Sequence, residues 1–503
     1  MAKKVVIIGG GIAGLSAGCY ARMNGHEAEI YEMHDKPGGL CTAWKRKGYT
    51  IDGCLHWLTG STPADSCYQY WAELGAVQGR RMIDHEVFYR YTGSDGKSLS
   101  LYCDADKLEA HMKELAPQDN ETIELFCRLI HKFSKFLQMP VGKAFELYNI
   151  LDVIIMMIRM MPYGKDFKFL NSVTLGDFGK RFKDPFLREI FPIVLGDGDY
   201  TLFGLVFTLA LFHIKSGGIP EGGSLEFTKA IEKRFVDLGG KVFYSCKVGK
   251  ILEKDGKAVG IRLADGQEIA GDYVISAADL RTTLYEMLDG KHVDPMHEEL
   301  FRSVKLIPSA VQVSFGINMD LSSDIECLGE LFKPKNPLTV GNKKVDWLMV
   351  KNSCHDPTLA PKGKSVVQCL ITINDFSYWE KLYSDSNAYR LEKERIAKAV
   401  AIELEHKYPG FQSAIEVTDV VTPMTYVRYT GNWKGTFMTW IITPDKAKKF
   451  QMIKKTVPDL DNFWLSGMWV QPPGGVPTGA MTSRAIIQLM CKKDKKKFVT
   501  STP

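Results

Sequence analysis

The sequence lacks an uninterrupted apolar run long enough to cross a bilayer. Its greasiest stretch, residues 150–162, is short and broken by Asp152 and Arg159. The eleven cysteines include no C-x-x-C pair, which argues against a thiolate zinc site and a disulfide scaffold and for a reducing compartment. No metal site is expected. Charge of one sign is also missing: 64 Lys and Arg against 59 Asp and Glu leave +5. Much of that excess sits in the lysine tail at 492–497, so no nucleic-acid face is expected. The first strand is read from about residue 4, with no leader ahead of it, which sets the expectation at the cytoplasm. A peripheral position on the membrane is the second expectation.

What is present is a 503-residue chain with 45% hydrophobic and 11% aromatic residues, enough for more than one core. It opens with the strand-like run Lys4-Val-Val-Ile-Ile, then Gly9-Gly10-Gly11-Ile12-Ala13-Gly14, then a helix start. A second apolar run follows and ends at Glu32. Such a strand, glycine turn, helix, strand and acid form a dinucleotide-binding crossover. Gly9 makes the turn, Gly11 lets a diphosphate approach the backbone, and Gly14 packs the helix on the sheet. Free N–H groups at the helix start hold the diphosphate, and the acid accepts from a ribose. Directly behind Glu32 comes Pro37-Gly38-Gly39-Leu40. A second glycine loop at this place is unlike nicotinamide domains and resembles FAD domains, where it runs past the diphosphate.

Further signals lie downstream. Gly217 to Leu225 is glycine-rich and leads into a helix over 226–238. Gly239-Gly240 closes that helix ahead of a strand at 241–244. The turns Asp255-Gly256 and Asp265-Gly266 separate short alternating runs, which predicts an antiparallel meander. Near the end, 461–469 reads as a strand leading to Gly467, and Gly474-Gly475-Val476-Pro477 precedes a helix over 481–492. No second G-x-G-x-x-G stands behind a strand, so a stable NAD(P) site is not expected.

The order of these blocks resembles the phytoene desaturase, carotenoid isomerase and retinol saturase superfamily of flavoproteins over nearly the whole chain. The more specific matches are Gly48 to His56, Pro220 to Ser224, Thr422 to Asn432, and Gly467 with Trp469 and Gly474-Gly475. The resemblance implies an α/β fold with a Rossmann-like FAD-binding domain of the glutathione-reductase type and an inserted mixed α+β substrate domain. The corresponding ranges are 1–75, 215–299 and 456–503 for FAD, and 76–214 and 300–455 for substrate. It implies that Gly9, Gly11, Ile12, Ala13, Gly14, Glu32, Gly38, Gly39 and Leu40 meet the diphosphate and ribose. Val248 would pair with adenine through its backbone, and Gly467, Gly475 and Val476 would border the flavin ring. Leu40 departs from relatives, which often carry a basic or small residue there.

The implied activity is desaturation or saturation at C–C and C=C bonds of a hydrophobic isoprenoid, retinoid or other lipid-like substrate. A redox-neutral isomerase or hydratase is the alternative, and a flavin amine oxidase is disfavoured because Met468 and Trp469 follow Gly467. His56 is the first candidate proton donor, followed by Tyr426 and Arg428, although each also reads as ordinary structure. The electron partner is expected to be transient: NAD(P)H, a quinone, a small electron carrier or oxygen. Phe203, Phe207, Phe212, Tyr378, Trp379, Tyr426, Tyr429, Trp433, Phe437 and Trp440 read equally as an apolar substrate cleft or as core. Residues 150–162 read first as a methionine-rich core helix and second as an amphipathic helix that touches lipid.

Overall fold

A computed structural model describes residues 2–139, 142–324, 326–446 and 453–503. The strand Lys4–Ile8 is a β-branched run buried on both faces, as a central parallel strand must be. It pairs in parallel with Glu27–Tyr31 on one side and Tyr273–Ser276 on the other. Phe463–Leu465 and Lys241–Phe243 complete a five-stranded parallel sheet. Between its first two strands runs the helix Ile12–Met23, almost wholly buried. A Cβ at Gly14 would lie 1.9 Å from the Gly9 carbonyl oxygen, so only glycine allows this helix to start so close to the strand end.

The expected meander is present as Val248–Lys254, Lys257–Leu263 and Glu268–Ala270. Asp255 and Gly256 both have positive φ (51° and 69°), which matches the twist of a tight hairpin. The terminal helix is longer than its sequence signal, spanning Val476–Lys493 with Pro477 in its first turn.

A second, seven-stranded sheet runs in the order Ile415–Val421, Ser309–Ile317, Ser365–Ile373, Leu348–Asn352, Cys327–Phe332, Val87–Thr92, Ser98–Tyr102. All pairs are antiparallel except Cys327–Phe332 with Val87–Thr92. A separate aromatic core, with Phe126, Phe133, Phe178 and Phe191, fills the space between Asn120–Phe136, Leu202–His213 and the shorter helices around them. Most aromatic residues read as cleft candidates belong to cores. Phe203, Phe207 and Phe212 pack with this helical core, Tyr378 and Trp379 against the large sheet, and Trp433 and Trp440 beside the parallel sheet.

The first reading of residues 150–162 as a core helix fails. Ile150–Met160 is helical but has no buried residue. Ile150 is 81% exposed, Ile158 61% and Met157 57%. Its apolar composition is compatible with burial, but no described element covers it. The helix starts with a reciprocal cap between Asn149 and Asp152. Its base is fixed: Ala144 N–H donates to Gln488 Oε1 at 2.7 Å, and Arg484 and Gln488 both donate to the Gly142 carbonyl. Among the described residues no helix is long and apolar enough to cross a membrane.

Candidate flavin site and adjoining cavities

Several helices in the chain close their N-termini with a side chain, including those capped by Asp104, Thr174, Asp184, Asp294 and Asp385. The helices opening at Ile12 and Val476 carry Gly11 and Gly475 instead, with no side-chain cap. Their first-turn N–H groups are therefore left for a ligand. The two N-termini also meet. A Cβ at Gly479 would lie 3.1 Å from Ala13 N, one at Gly467 would lie 3.5 Å from Ala13 Cβ, and Ser483 Oγ donates to Ala13 O at 2.7 Å. Two partial positive charges thus converge on Gly11, Ile12, Ala13 and Gly14 on one side and Gly467, Gly475 and Val476 on the other.

The second glycine loop is tied into the same place. Gly38 N–H donates to Gly10 O at 3.0 Å, and Gly11 bridges Gly38. Glu32 is buried beside them. Its Oε2 accepts from Gly10 N–H at 2.6 Å and its Oε1 from His34 N–H at 2.9 Å, which fixes the carboxylate and leaves lone pairs for hydroxyl donors. Cys246 N–H donates to Glu32 O at 2.8 Å, which brings the strand beginning at Val248 alongside. Uncapped helix starts, a glycine cradle and a fixed carboxylate in one line fit the diphosphate and ribose of an FAD.

From Glu32 an open cleft of about 340 Å³ passes Gly39, Leu40 and Thr42 to Gly53, under Tyr426 and Arg428. Its far wall is the helix Pro423–Thr430, begun by a Thr422–Thr425 capping box and ended by Gly431 at φ +67°. His34 Nε2 meets Arg428 O at 3.3 Å, and its ring lies 5.0 Å from that of Tyr429. Arg428 is exposed and Tyr426 half-buried, and burial pushes the Tyr426 phenol upward. Sequence reasoning missed Thr42, whose buried hydroxyl lines the cleft without a hydrogen-bond partner among the described residues. Its position three residues beyond Gly39 was the only available signal.

A much smaller cavity of about 20 Å³, with room for about one water, lies between the 52–56 loop and the large sheet, and Gly53 lines both spaces. Here two separate sequence motifs meet. Asp52 accepts from Ser224 N at 2.6 Å, Ser224 Oγ at 2.5 Å and Cys54 N at 2.9 Å. Gly223 has φ +71°, and a Cβ there would lie 2.4 Å from Asp52 Oδ2. His56 lines this cavity, away from Tyr426 and Arg428, so the three candidate proton donors fall in two groups. Burial first, and then the nearby Lys351 charge, pushes His56 down to about 3. It is therefore a neutral imidazole near neutral pH, and its Nδ1 has no partner among the described residues. Lys351, on Leu348–Asn352, carried no sequence signal and shares the cavity with His56.

The chain is similar to known proteins along most of its length. The sequence profile described as "Flavin containing amine oxidoreductase" matches residues 12–486. A phytoene desaturase (lycopene-forming) of Pseudescherichia vulneris is 24% identical over 507 residues, covering 97% of this chain and 99% of that protein. The chloroplastic prolycopene isomerase 2 of an Oncidium hybrid cultivar is 26% identical over 460 residues, covering 86% of this chain and 74% of that protein. Among solved structures, an oxidoreductase from Methanosarcina mazei aligns with a TM-score of 0.57 at 18% identity, covering 96% of this chain and all of that one. The two chains share an α/β fold. By a match spanning nearly its whole length, the chain belongs to the flavin containing amine oxidoreductase family and is an FAD-dependent oxidoreductase.

Proposed function

We propose that this enzyme acts on C–C and C=C bonds of a hydrophobic isoprenoid or other lipid-like substrate, by desaturation, saturation or isomerisation. One observation carries the reading: the glycine cradle and the paired helix N-termini adjoin an open, mostly apolar-lined cleft, and Gly53 lines both this cleft and the small cavity between the 52–56 loop and the large sheet. Relatives named for phytoene desaturation and prolycopene isomerisation support the substrate class. FAD bound in the cradle supplies a two-electron hydride acceptor or donor. Gly9, Gly11, Ile12, Ala13, Gly14, Gly38, Gly39 and Leu40 hold its diphosphate side, Glu32 its ribose, and Gly467, Gly475 and Val476 border its ring. Tyr426 and Arg428 guard the open cleft, and His56 contributes a neutral ring to the inner cavity. An amine oxidase reading is less favoured, because Trp469 is buried against Trp440, with ring centroids 5.0 Å apart, rather than facing a cleft.

Photoreduced protein mixed anaerobically with polyenes, steroidal enones and unsaturated fatty acids tests the reading. Return of the yellow absorbance with a saturated product marks a reductase, and conversion without net electron flow marks an isomerase or hydratase. If only amines bleach the oxidised protein, the reading fails. The same mixing with NAD(P)H, quinones or oxygen identifies the transient electron partner.

The exposed helix Ile150–Met160 supports work at a lipid surface. Its bare apolar side chains are flanked by exposed Arg159, Lys165 and Lys168, which suit anionic headgroups. Ile154 and Ile158 at about 1.5 kcal/mol each supply about 3 kcal/mol. Ile154→Glu with Ile158→Glu is therefore expected to weaken binding to phosphatidylserine vesicles about 100-fold. Unchanged sedimentation with vesicles would refute the role.

A further inference from the structure

Lys351 is 8% exposed and lines the inner cavity, and its Nζ donates to Leu55 O at 3.2 Å. No carboxylate among the described residues lies within ion-pair distance of it. The acid whose field reaches it, Asp52, already accepts three hydrogen bonds from Ser224 and Cys54. Around the amine stand further groups that titrate, from every element packed on it. They are Cys54 and His56 from the 52–56 loop, His85 ahead of Val87–Thr92, and His355 beyond Leu348–Asn352. The neighbouring strands contribute only Gln312 and Gln368, whose amides both donate to Asp52 O.

A buried amine with one backbone acceptor and no counter-ion is a poor structural choice, because burying an unpaired charge is expensive. The same shape and a weaker penalty could be had from methionine or glutamine. Burial disfavours its charged form and moves its titration downward, only partly opposed by Asp52 and Cys54. The three histidines beside it are themselves held neutral by burial and by the lysine. His85 and His355 have ring centroids 4.9 Å apart. The lysine is thus the one strongly basic group of the cavity.

We propose that Lys351 is the proton-transfer residue of this site, taking a proton, through the one water its cavity has room for, from the substrate carbon next to the one that loses hydride. This rests on the C–C and C=C reading above. The broken C–H bond leaves its electron pair to close the new double bond. The lysine nitrogen gains an N–H bond, and FAD held in the cradle would supply the acceptor for the hydride and its two electrons. In the saturating direction the ammonium returns the proton.

Two measurements on the FAD-loaded protein test it. The first is the side-chain NMR titration of isotope-labelled lysines, in which the Lys351 signal is the one missing from Lys351→Met. Its midpoint is expected below the ordinary lysine value of about 10.4, and a midpoint at or above that value overturns the proposal without any turnover assay. The second is Lys351→Ala, expected to keep its yellow absorbance and to lose about 10²–10⁴-fold in turnover. Small primary amines should restore turnover in proportion to their basicity, and Lys351→Met, whose side chain fills the space, should not be rescued. Full activity in Lys351→Ala, or loss that no amine restores, overturns the proton role. Wild-type protein that converts no polyene or unsaturated lipid instead counts against the substrate reading, and the titration still decides the state of the lysine.

Discussion

Gly11→Ala separates cofactor binding from folding. Gly11 sits at φ −74° and ψ −178°, a conformation open to alanine. Its added Cβ would find Gly38 O at 3.6 Å, an ordinary contact. The fold therefore loses little, at most the modest cost of replacing a glycine N-cap by alanine, about 1 kcal/mol or less. The methyl group nevertheless occupies the mouth of an uncapped helix, where a diphosphate must approach the N–H groups. Loss of one charge-assisted hydrogen bond at about 1.5–3 kcal/mol weakens FAD binding by roughly 10- to 100-fold. Gly14→Ala is the contrasting variant, since its Cβ would lie 1.9 Å from backbone that cannot yield. It is expected to destabilise the apoprotein itself by about 1–3 kcal/mol or more. Calorimetric FAD titration and thermal melts of the two apoproteins distinguish the cases. If Gly11→Ala binds FAD as tightly as wild type, the diphosphate does not pass over this helix start, and the whole assignment of the cradle falls.

Ser224→Ala removes one of three donors to Asp52 and the acceptor of Leu55 N–H at 2.9 Å, and should cost about 1–3 kcal/mol. It should also speed reaction of the free Cys54 thiol with maleimide, and an unchanged labelling rate would refute the clamp. Acid should destabilise the protein through its buried neutral histidines. His85 is pushed down to about 4 by burial and by Lys351, so the unfolded chain takes up a proton at this site below about pH 6.5 that the folded protein refuses. Its contribution is intact above that pH and is lost as pH falls toward 4, at about 1.4 kcal/mol per pH unit. Urea melts of His85→Asn between pH 7 and 5 should show a slope shallower than wild type by that amount, and equal slopes would refute it.

The parts of the site visible in the sequence were those set by local backbone demands. Gly9, Gly11, Gly14, Gly38 and Gly39 appear as a pattern because turns and close approaches require glycine within a few residues. Glu32 is visible because a strand of fixed length must end there. Lys351 was not visible, because its environment comes from strand register. Leu348–Asn352 pairs with Ser365–Ile373 so that Lys351 lies opposite Gln368 and Met349 opposite Leu370. The Leu-Met-Val-Lys-Asn run has no alternation to show which side faces a cavity. The aromatic residues failed as cleft markers for a related reason. Phe203, Phe207 and Phe212 share one helix with apolar residues on all sides, and such a helix is equally good lining for a core or for a tunnel.

Residues 150–160 show the same difficulty in its clearest form, since whether an apolar helix is buried depends on a neighbour elsewhere in the chain. What the structure adds is the anchorage of that helix. Arg484 forms a buried ion pair with Glu73 at 3.0 Å and also donates to Gly142 O, just ahead of the exposed helix. Arg484 belongs to the helix Val476–Lys493, and at 1.5 Å per residue it lies about 12 Å from the uncapped N-terminus at the cofactor cradle. A stiff rod therefore joins the apolar outer face to the cradle. Were Ile150–Met160 to meet lipid as proposed above, this root would fix the direction in which the cleft faces, whereas a flexible tether would leave the orientation free. Because a buried arginine stripped of its carboxylate partner is expensive to keep, the Glu73–Arg484 pair maintains both the fold of the cradle and the presentation of the exposed helix.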